Sequence, residues 1–402
     1  MANIFWRASL TTALAIISFG ATVSIADNQQ ENSLRFWNSN FWNNLETGGR
    51  IVVDADRFDG IYRQDDGANN SANDKQDETE LRRARLYFKL PIAEDWSSKL
   101  QLSLSEEDHK YELKDAYLRY KGWSLADIRI GQSKEPFGLE NMSSSLNSSV
   151  IERSLTASAF ALGRSPGINI ADSNSKRSWS LGVYEVKQNA QIKADGGLAY
   201  TARATFSPLN KDNNFNHYGI SFSKRDIEGA EYEIESNGGV NSAYNFLDTA
   251  NIEADSIDQI GIEAAWGRGA LSLQAEYQYQ KINTINSLES ASYQGYYLQS
   301  SYFITDDYRP YKKGRFATVK PSSSTGAIEL VLRYGVLESV NLGETNNDPA
   351  IQLSSSVLGI NYYLNRRIKV MLNVINTDST GIFKDDDQEE GDAISLRVQL
   401  RF

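Results

Sequence analysis

Three arginines, Arg82, Arg83 and Arg85, stand close together in the stretch ELRRARLYFKL. A guanidinium keeps its charge at any physiological pH and offers a planar fork of N–H donors that matches the oxygens of a phosphate or a carboxylate. The surrounding residues alternate between apolar and polar, as in a strand that has one face against lipid. An arginine on that face near the bilayer centre would cost about 2–4 kcal/mol. The spacing therefore favours a polar face, able to attract anions, for these side chains.

Strand parity predicts where each charged side chain points. In residues 80–90 the apolar side chains share one face, so Arg83, Arg85 and Lys89 lie on the other, and Arg82 lies at the strand end, free to turn either way. The same rule along the chain predicts thirteen inward basic residues: Arg50, Arg83, Arg85, Lys89, Lys99, Arg119, Lys121, Arg129, Arg203, Arg333, Lys369, Arg397 and Arg401. It predicts eight inward acidic residues: Asp54, Asp56, Asp115, Asp127, Glu185, Glu263, Glu276 and Glu329.

The carboxyl-terminal residues indicate which kind of β protein these strands form. The last residues, DAISLRVQLRF, alternate strictly and end on Phe402. A terminal amphipathic strand that closes on phenylalanine is typical of outer-membrane β-barrels, in which it is the assembly signal. A soluble β-sandwich would need a second layer over its apolar face, whereas here the opposite face is uniformly polar. With 21 Tyr, 16 Phe and 7 Trp, the chain also has aromatic residues for girdles at both membrane interfaces.

The pattern predicts an all-β fold, a 16-stranded antiparallel transmembrane β-barrel over residues 48–402. The predicted strands are 50–58, 80–90, 97–105, 112–121, 126–134, 165–172, 177–186, 197–207, 215–224, 257–267, 269–281, 293–304, 325–336, 353–365, 366–377 and 392–402. Short periplasmic turns alternate with longer outer loops, except that 305–324 is long on the periplasmic side. Segment 135–164 is a candidate for a loop that folds inward and narrows the pore.

The amino-terminal segment predicts export. Residues 1–26 have a positive start, a short apolar run and small residues before Asp27, which is typical of a cleaved signal peptide. A membrane anchor is the alternative, but the run is shorter than the ~20 residues that a spanning helix needs. Residues 27–47 are predicted to be a short periplasmic extension. The expected location is the outer membrane of a Gram-negative bacterium.

The distribution of charge predicts the sign of the transported ion. The net charge of −11 by itself suggests a cation channel. The acidic residues, however, collect in loops 225–256 and 378–391, where solvent or divalent cations bound to lipopolysaccharide can neutralise them. The wall is the basic part, and a basic lumen between low-dielectric walls favours anions. Segment 305–324 is either a basic funnel at the periplasmic mouth or a solvated loop; its basic residues are Arg309, Lys312, Lys313, Arg315 and Lys320.

Several motifs, in order from about residue 48 to 402, resemble the phosphate-selective porin O and P family of Gram-negative outer membranes. They are ELRRARLYFK (80–89), LKDAYLRYKG (113–122), IRIGQSKEPFGLE (128–140), VIERSL–AFALGR (150–164), ITDDYRPYKKGRF (304–316), GAIELVLRYG (326–335) and VLGINYYLNRRIKVMLN (357–373).

The resemblance implies a homotrimer of barrels in which lysines gather anions and an arginine row leads them through a constriction. By motif position, Arg82 and Arg83 resemble the constriction arginine pair, and Asp115 resembles the carboxylate opposite it. Asn141 stands where phosphate-specific members have a lysine, so Lys134 is the nearest substitute. Arg85 completes the expected anion-binding set. The expected lumen lining is Lys89, Arg119, Lys121, Arg129, Arg203 and Arg333.

The expected function is an outer-membrane diffusion channel for small anions, phosphate or polyphosphate; the alternative is a general porin without phosphate selectivity. The expected partners are small inorganic anions, outer-membrane lipids, lipopolysaccharide and the barrel assembly machinery. An enzymatic barrel would need a nucleophile or activated water beside an ionisable partner, and neither His109 nor His217 neighbours such a motif. No pattern predicts a catalytic residue, a metal, a cofactor or nucleic-acid binding.

Overall fold

A computed structural model of the protein describes residues 44–63, 76–104, 111–189, 191–211, 213–245, 247–249, 251–285, 290–342, 351–381 and 390–402. The predicted signal peptide, residues 1–26, and nearly all of the predicted extension, 27–47, lie outside these ranges, as does His109. The barrel is one compact unit, Glu46–Phe402. In the described ranges no helix is both long and apolar enough to cross a bilayer.

Sixteen long strands form one antiparallel sheet that closes on itself, which confirms the predicted barrel and its strand number. They are β1 (Glu46–Phe58), β2 (Gln76–Pro91), β3 (Trp96–Leu104), β4 (Tyr111–Tyr120), β5 (Asp127–Lys134), β6 (Arg164–Ser173), β7 (Arg177–Glu185), β8 (Leu198–Phe206), β9 (Asn214–Asp226), β10 (Ile252–Arg268), β11 (Leu271–Thr284), β12 (Ala291–Phe303), β13 (Ala327–Asn341), β14 (Gln352–Tyr363), β15 (Ile368–Thr380) and β16 (Glu390–Arg401).

Smaller elements lie in the connections. Two short helices, α1 (Leu139–Met142) and α2 (Leu155–Ala159), follow β5, and 3₁₀ turns occur at Gly60–Tyr62 and Ser145–Asn147. Six two-residue strands complete the described elements: Asn210–Lys211, Glu231–Tyr232, Glu235–Ser236, Leu247–Asp248, Tyr311–Lys312 and Arg315–Phe316.

The barrel closes where β1 pairs with β16. Asp54 lies directly opposite Arg397 in this register, and their side chains form a two-pronged ion pair at 2.7 and 2.5 Å. The chain end continues the seam, because the Gly49 N–H donates to the Phe402 carbonyl at 2.9 Å and the Phe402 N–H donates back at 3.2 Å. The absence of a side chain on Gly49 is required here, since a Cβ would lie 2.5 Å from the Arg85 carbonyl oxygen.

Side chains along the strands alternate between an exposed apolar face and a buried polar face, as the sequence predicts. Leu298 and Leu332 on the outside are 60% and 59% exposed, whereas Glu263 and Arg397 on the inside are 2% and 1% exposed. The prediction for Glu185 is wrong: it shares the outward parity of Val183 and is exposed. Its neighbours on either side, Tyr184 and Val186, are the buried residues, so Glu185 points outward.

The lengths of the connections distinguish the two ends of the barrel. The end that carries Glu46 and Phe402, here called the terminus end, has tight turns such as that between β14 and β15. The opposite end, here called the loop end, has the long connections. The connection between β12 and β13, residues 304–326, is the long exception at the terminus end, as expected; we call it the floor loop.

The acidic loop between β9 and β10 differs from its predicted solvated state. Its residues 227–251, the mouth segment, cross the loop end to the far wall. There Asn241 donates to both carboxylate oxygens of Glu80 at 3.0 and 2.9 Å, and Ser242 donates to Asp56 at 2.6 Å. Apolar residues of the mouth segment, including Val240, are buried in a cluster that also contains Tyr62. Packing of apolar surface therefore folds this loop inward despite its charge.

Replacing Asp54 by Asn tests the closure of the barrel. Removing one partner of a buried ion pair typically costs about 3–5 kcal/mol, and Glu152 still pairs with Arg397 here, so we expect a loss of about 3 kcal/mol in urea unfolding of the vesicle-embedded barrel. Asp77→Asn is the control, because its pair with Arg57 is exposed and should contribute about 0–1 kcal/mol. Equal losses in the two variants would contradict the role given to the seam.

Candidate anion site at the constriction

The connection between β5 and β6, residues 135–163, folds into the lumen; we call it the constriction loop. Helix α1 begins over β11, where the Glu276 carboxylate accepts the N–H groups of Leu139 and Glu140 at 2.8 and 2.7 Å. A carboxylate at a helix start satisfies N–H groups that have no partner inside the helix. Ser154 caps the start of helix α2, because its side chain accepts from the Ala157 N–H. These caps explain why two short helices form here.

The constriction loop reaches strands on the other side of the barrel. Ser149 donates to Glu329 of β13 at 2.7 Å, and the Ile151 N–H donates to Asn373 of β15 at 2.8 Å. On the near side, Arg50 of β1 donates to Ser145 at 3.0 Å. The loop therefore spans and narrows the lumen, as expected for segment 135–164.

Arg82 and Arg83 both point inward although they are consecutive. The register between β1 and β2 shifts because Val52 pairs with Arg83 but Asp54 pairs with Glu80, which places one extra residue in β2. A bulge of this kind turns neighbouring side chains to the same face. Arg82 is therefore in mid-strand, not at a strand end as predicted from the sequence.

Both arginines are paired with Glu152 of the constriction loop. The nitrogen–oxygen distances are 3.0 Å from Arg82 and 3.5 Å from Arg83, and Arg397 approaches the same carboxylate at 2.5 Å. Burial by itself would raise the pKa of the Glu152 carboxyl, but the three positive charges outweigh it and hold this pKa well below its ordinary value. The arginine pair thus holds the loop in place.

Asp115 lies in a different group. It accepts from Lys99 at 2.5 Å and from Arg164 at 2.8 Å, and within the described residues it forms no ion pair with Arg82 or Arg83. Arg164 begins β6 and Lys99 lies on β3. The structure therefore brings Asp115 to two other cations and not opposite the arginine pair.

A cluster of lumen cations outnumbers the carboxylates near it. Arg50, Arg85, Arg153, Arg164 and Lys134 lie near enough to repel one another, and the carboxylates near them are Asp115, which pairs with Arg164, and Glu140 and Glu152, which lie near Arg153. Arg85 donates to Ser103 at 3.1 Å and Lys134 donates to the Asn141 carbonyl, which are neutral partners. We call these five residues the basic cluster. It produces a local positive potential beside the constriction loop.

Arg153 occupies a special place in the basic cluster. Within the described part of the chain its guanidinium forms no ion pair or hydrogen bond, and it lines two cavities on either side of the constriction loop. The first is also lined by Arg83, Arg309, the carboxylates Glu140 and Glu152, which pair with arginines, and a row of serines: Ser143, Ser144, Ser145 and Ser148. Unpaired guanidinium and hydroxyl donors in one cavity can bind an oxyanion.

The other predicted lumen residues differ in their partners. Lys89 pairs with Glu46 at 2.5 Å, Arg119 donates to Asp127 at 3.1 Å and Arg129 lies 5.7 Å from the Tyr117 ring centre. Arg203 forms a two-pronged pair with Glu263 at 2.7 and 2.6 Å, and Arg333 pairs with Glu140. Lys121 is exposed in the turn after β4, because that strand ends at Tyr120.

The floor loop folds into the barrel and contacts the constriction loop. Its Tyr311 hydroxyl lies 2.5 Å from Nδ1 of His217, whose Nε2 lies 3.0 Å from Glu263. The Phe316 N–H donates to Ser143 of the constriction loop at 3.2 Å. Of the five predicted funnel residues, Arg309 is buried against the Phe316 ring at 3.5 Å. The other four are exposed: Lys312, Lys313, Arg315 and Lys320.

Sequence reasoning missed Glu152, Arg153 and Arg164 as site residues, although all three lie in the quoted motif VIERSL–AFALGR. It also missed Glu140, which pairs with Arg333. The parity rule applies to strands and says nothing about an inward loop. The one signal available was that charged residues interrupt an otherwise apolar and serine-rich loop.

Comparisons with known proteins agree with this geometry. The family model described as phosphate-selective porin O and P matches residues 45–402. Porin O of Pseudomonas aeruginosa is 26% identical over an alignment of 402 residues that covers 89% of this chain and 88% of that protein.

Two solved structures share the fold. The anion-selective porin from Comamonas acidovorans superposes with a TM-score of 0.57 at 12% identity, covering 89% of this chain and 99% of that one. The outer membrane protein OmpT of Vibrio cholerae, in its trimer form, superposes with a TM-score of 0.57 at 9% identity, again covering 89% and 99%.

Replacing Glu152 by Gln tests how the constriction loop is held. The pKa of Glu152 in the folded protein lies below its ordinary value of 4.5. The ion pairs of Glu152 therefore stabilise the folded state fully above pH 4.5, and this stabilisation is lost as the pH falls through the lower pKa of the folded state. We therefore expect steady single-channel currents from about pH 7 to about pH 5 in the native protein. The variant should show current fluctuations already at pH 7, since neutral Gln cannot pair with three cations. Current fluctuations in the native protein between about pH 5 and about pH 7, or steady currents in the variant at about pH 7, would contradict this role.

Proposed function

The chain belongs to the phosphate-selective porin O and P family, and from this membership we propose that it is an outer-membrane channel for small anions whose selectivity arises at the basic cluster. The observation that carries the proposal is that Arg85 and Arg153 have no paired carboxylate among the residues that the structure describes, whereas Glu140 and Glu152 of the constriction loop pair with other cations. The whole-chain charge of −11 is thus a poor guide to the sign of the transported ion.

The strength of the positive electrostatic field at the basic cluster supports anion entry. A unit positive charge about 4 Å from an anion contributes about 4 kcal/mol at the effective dielectric constant of a protein surface. Several such charges offset part of the cost of removing water from an ion at the constriction. In contrast, Arg203 contributes little, because its pair with Glu263 is buried and uses both prongs of the guanidinium.

Phosphate is the anion that the donors fit best. Arg153 has five N–H donors, and the serine hydroxyls beside it add further donors around one cavity. A tetrahedral oxyanion can accept from several of these donors at once, whereas chloride responds mainly to charge. The same geometry accommodates a terminal phosphate of polyphosphate. A general porin without phosphate selectivity is the alternative, and it is favoured by Asn141, which donates to the Ala157 carbonyl at 3.1 Å instead of supplying a lysine charge.

We assign different roles to the arginines of the opening motif. Arg82 and Arg83 position the constriction loop through Glu152, and Arg85 contacts the anion together with Arg153 and Lys134. Asp115 limits the repulsion among the cations of the basic cluster. The exposed lysines of the floor loop attract anions to the terminus end.

We propose the remaining assignments from the sequence pattern and the fold. Residues 1–26 direct export and are cleaved, the residues between 27 and the start of β1 form a periplasmic extension, and the barrel assembles into a homotrimer, as OmpT of Vibrio cholerae does in its trimer form. The barrel assembly machinery recognises the last strand with Phe402, whose ring is 51% exposed. Outer-membrane lipids and lipopolysaccharide surround the apolar belt.

Planar-bilayer recording under a salt gradient tests the proposed function. We expect a reversal potential of anion sign and a chloride current that phosphate blocks. A cation-sign potential would mean that the acidic loops set the selectivity, and anion current without phosphate block would establish the general porin.

Variants locate the site within the same experiment. Arg85→Gln and Arg153→Gln should each weaken the phosphate block by about tenfold to a hundredfold, because a charge-assisted hydrogen bond is worth about 1.5–3 kcal/mol. Lys121→Gln removes the same charge from an exposed turn and should leave the block unchanged. If Arg83→Ala abolishes the block while the first two variants retain it, the anion binds at the arginine pair and our assignment is wrong.

A further inference from the structure

Four exposed cations lie together at the terminus end, on the turns that join β6 to β7, β8 to β9 and β10 to β11. They are Lys176, Arg177, Lys211 and Arg268. The function proposed above uses none of them, because they lie outside the lumen. We call this group the basic rim.

Hydrogen bonds between the turns make the basic rim continuous. The Ser207 N–H donates to the Lys176 carbonyl at 2.6 Å, and the Asn210 side chain donates to the Ser175 carbonyl at 2.8 Å. The Gly269 N–H donates to the Asn213 carbonyl at 3.1 Å. These bonds fix the backbones of the turns relative to one another, so the four basic residues start from fixed positions.

Strand parity turns two of the cations toward lipid. Arg177 is the cross-strand neighbour of Phe206, and Phe206 is the neighbour of Tyr218. These two aromatic side chains are 55% and 54% exposed on the outer surface. Arg268 also points outward and stacks on Trp266, with 5.4 Å between the guanidinium carbon and the ring centre. Guanidinium groups directly below exposed aromatic rings mark the level of the lipid headgroups.

No member of the basic rim is neutralised by the rest of the described chain. None of the four forms an ion pair there, and the recorded side-chain contacts of Arg268 are with the Asn216 side chain and the Gly267 carbonyl, both uncharged. Two acidic residues lie nearby in the sequence: Asp172, near the end of β6, forms no ion pair with the four cations in the described part of the chain, and Asp212 lies outside the described residues. The four positive charges therefore outnumber the nearby carboxylates.

We propose that the basic rim binds the phosphate of an anionic phospholipid headgroup in the leaflet at the terminus end. Barrels of this class have their short turns on the periplasmic side, where the leaflet is made of phospholipid. The arginine forks match the phosphate oxygens, and the exposed rings of Phe206 and Tyr218 lie against the first part of the acyl chains. The ligand is a lipid and not free phosphate, because Arg177 and Arg268 point away from the pore.

Lipid retention by the whole barrel tests the proposal. The purified protein is reconstituted in nanodiscs that contain equal amounts of phosphatidylglycerol and phosphatidylethanolamine, and the lipids that remain bound are counted by native mass spectrometry. We expect phosphatidylglycerol to be enriched. Arg177→Gln combined with Arg268→Gln should lower its retention about tenfold or more, since each basic residue near an anionic membrane surface is worth about 1 kcal/mol.

The matched control removes two outward-facing cations from the opposite end. Lys224 and Lys281 share the outward parity of their strands near the loop end, so Lys224→Gln combined with Lys281→Gln should keep the enrichment. Equal retention in the two double variants, or no preference for phosphatidylglycerol in the native protein, would overturn the proposal. Displacement of the lipid by excess inorganic phosphate would also overturn it, because the rim would then be a site for the free anion. Anion selectivity in the planar bilayer should be the same in both double variants, so this test does not depend on the proposed pore function.

Discussion

The structure depends on the pairing of one buried guanidinium, that of Arg397. It lies where the last strand meets the first, with 1% of its surface exposed, and it bonds to Asp54 across the seam and to Glu152 of the constriction loop. A buried charge that loses its partner costs several kcal/mol, so neither contact can be removed alone without loss. Closure of the barrel and the position of the loop inside it are therefore coupled. Arg82 and Arg83 join the same carboxylate, which makes the arginine pair part of this support.

Neutralisation of the loop's acids determines where the pore is electropositive. Glu152 and Glu140 are each paired to arginines of the wall, and Glu276 accepts two N–H groups at the start of a helix. Because these acids already have other partners, Arg85 and Arg153 are left without an ion pair in the described part of the chain. The positive field that favours anions thus depends on which carboxylates are already paired, more than on the number of basic residues in the lumen.

The three inward segments fill the lumen in different ways. The constriction loop is anchored mainly by charge and capping, the mouth segment by apolar packing around Val240 and Tyr62, and the floor loop by aromatic stacking and the Tyr311–His217 contact. Phe215 stacks on Tyr311 with 4.9 Å between ring centres. Loss of charge should therefore loosen the constriction loop first and leave the other two segments in place.

The sequence by itself determined the number of strands, the inward or outward direction of most side chains and the family, because a period-2 pattern and a set of ordered motifs are local properties of the chain. It did not determine which charges neutralise one another. Arg397 and Glu152 are 245 residues apart, and Arg397 and Asp54 are 343 apart, so no local pattern can connect them. Parity also left the direction of Arg82 open, where one extra residue in a strand turned the side chain inward, and it had no rule for a loop. Only the closed barrel decided the pairing, because closure brings the first and last strands together and places the loop between opposite walls.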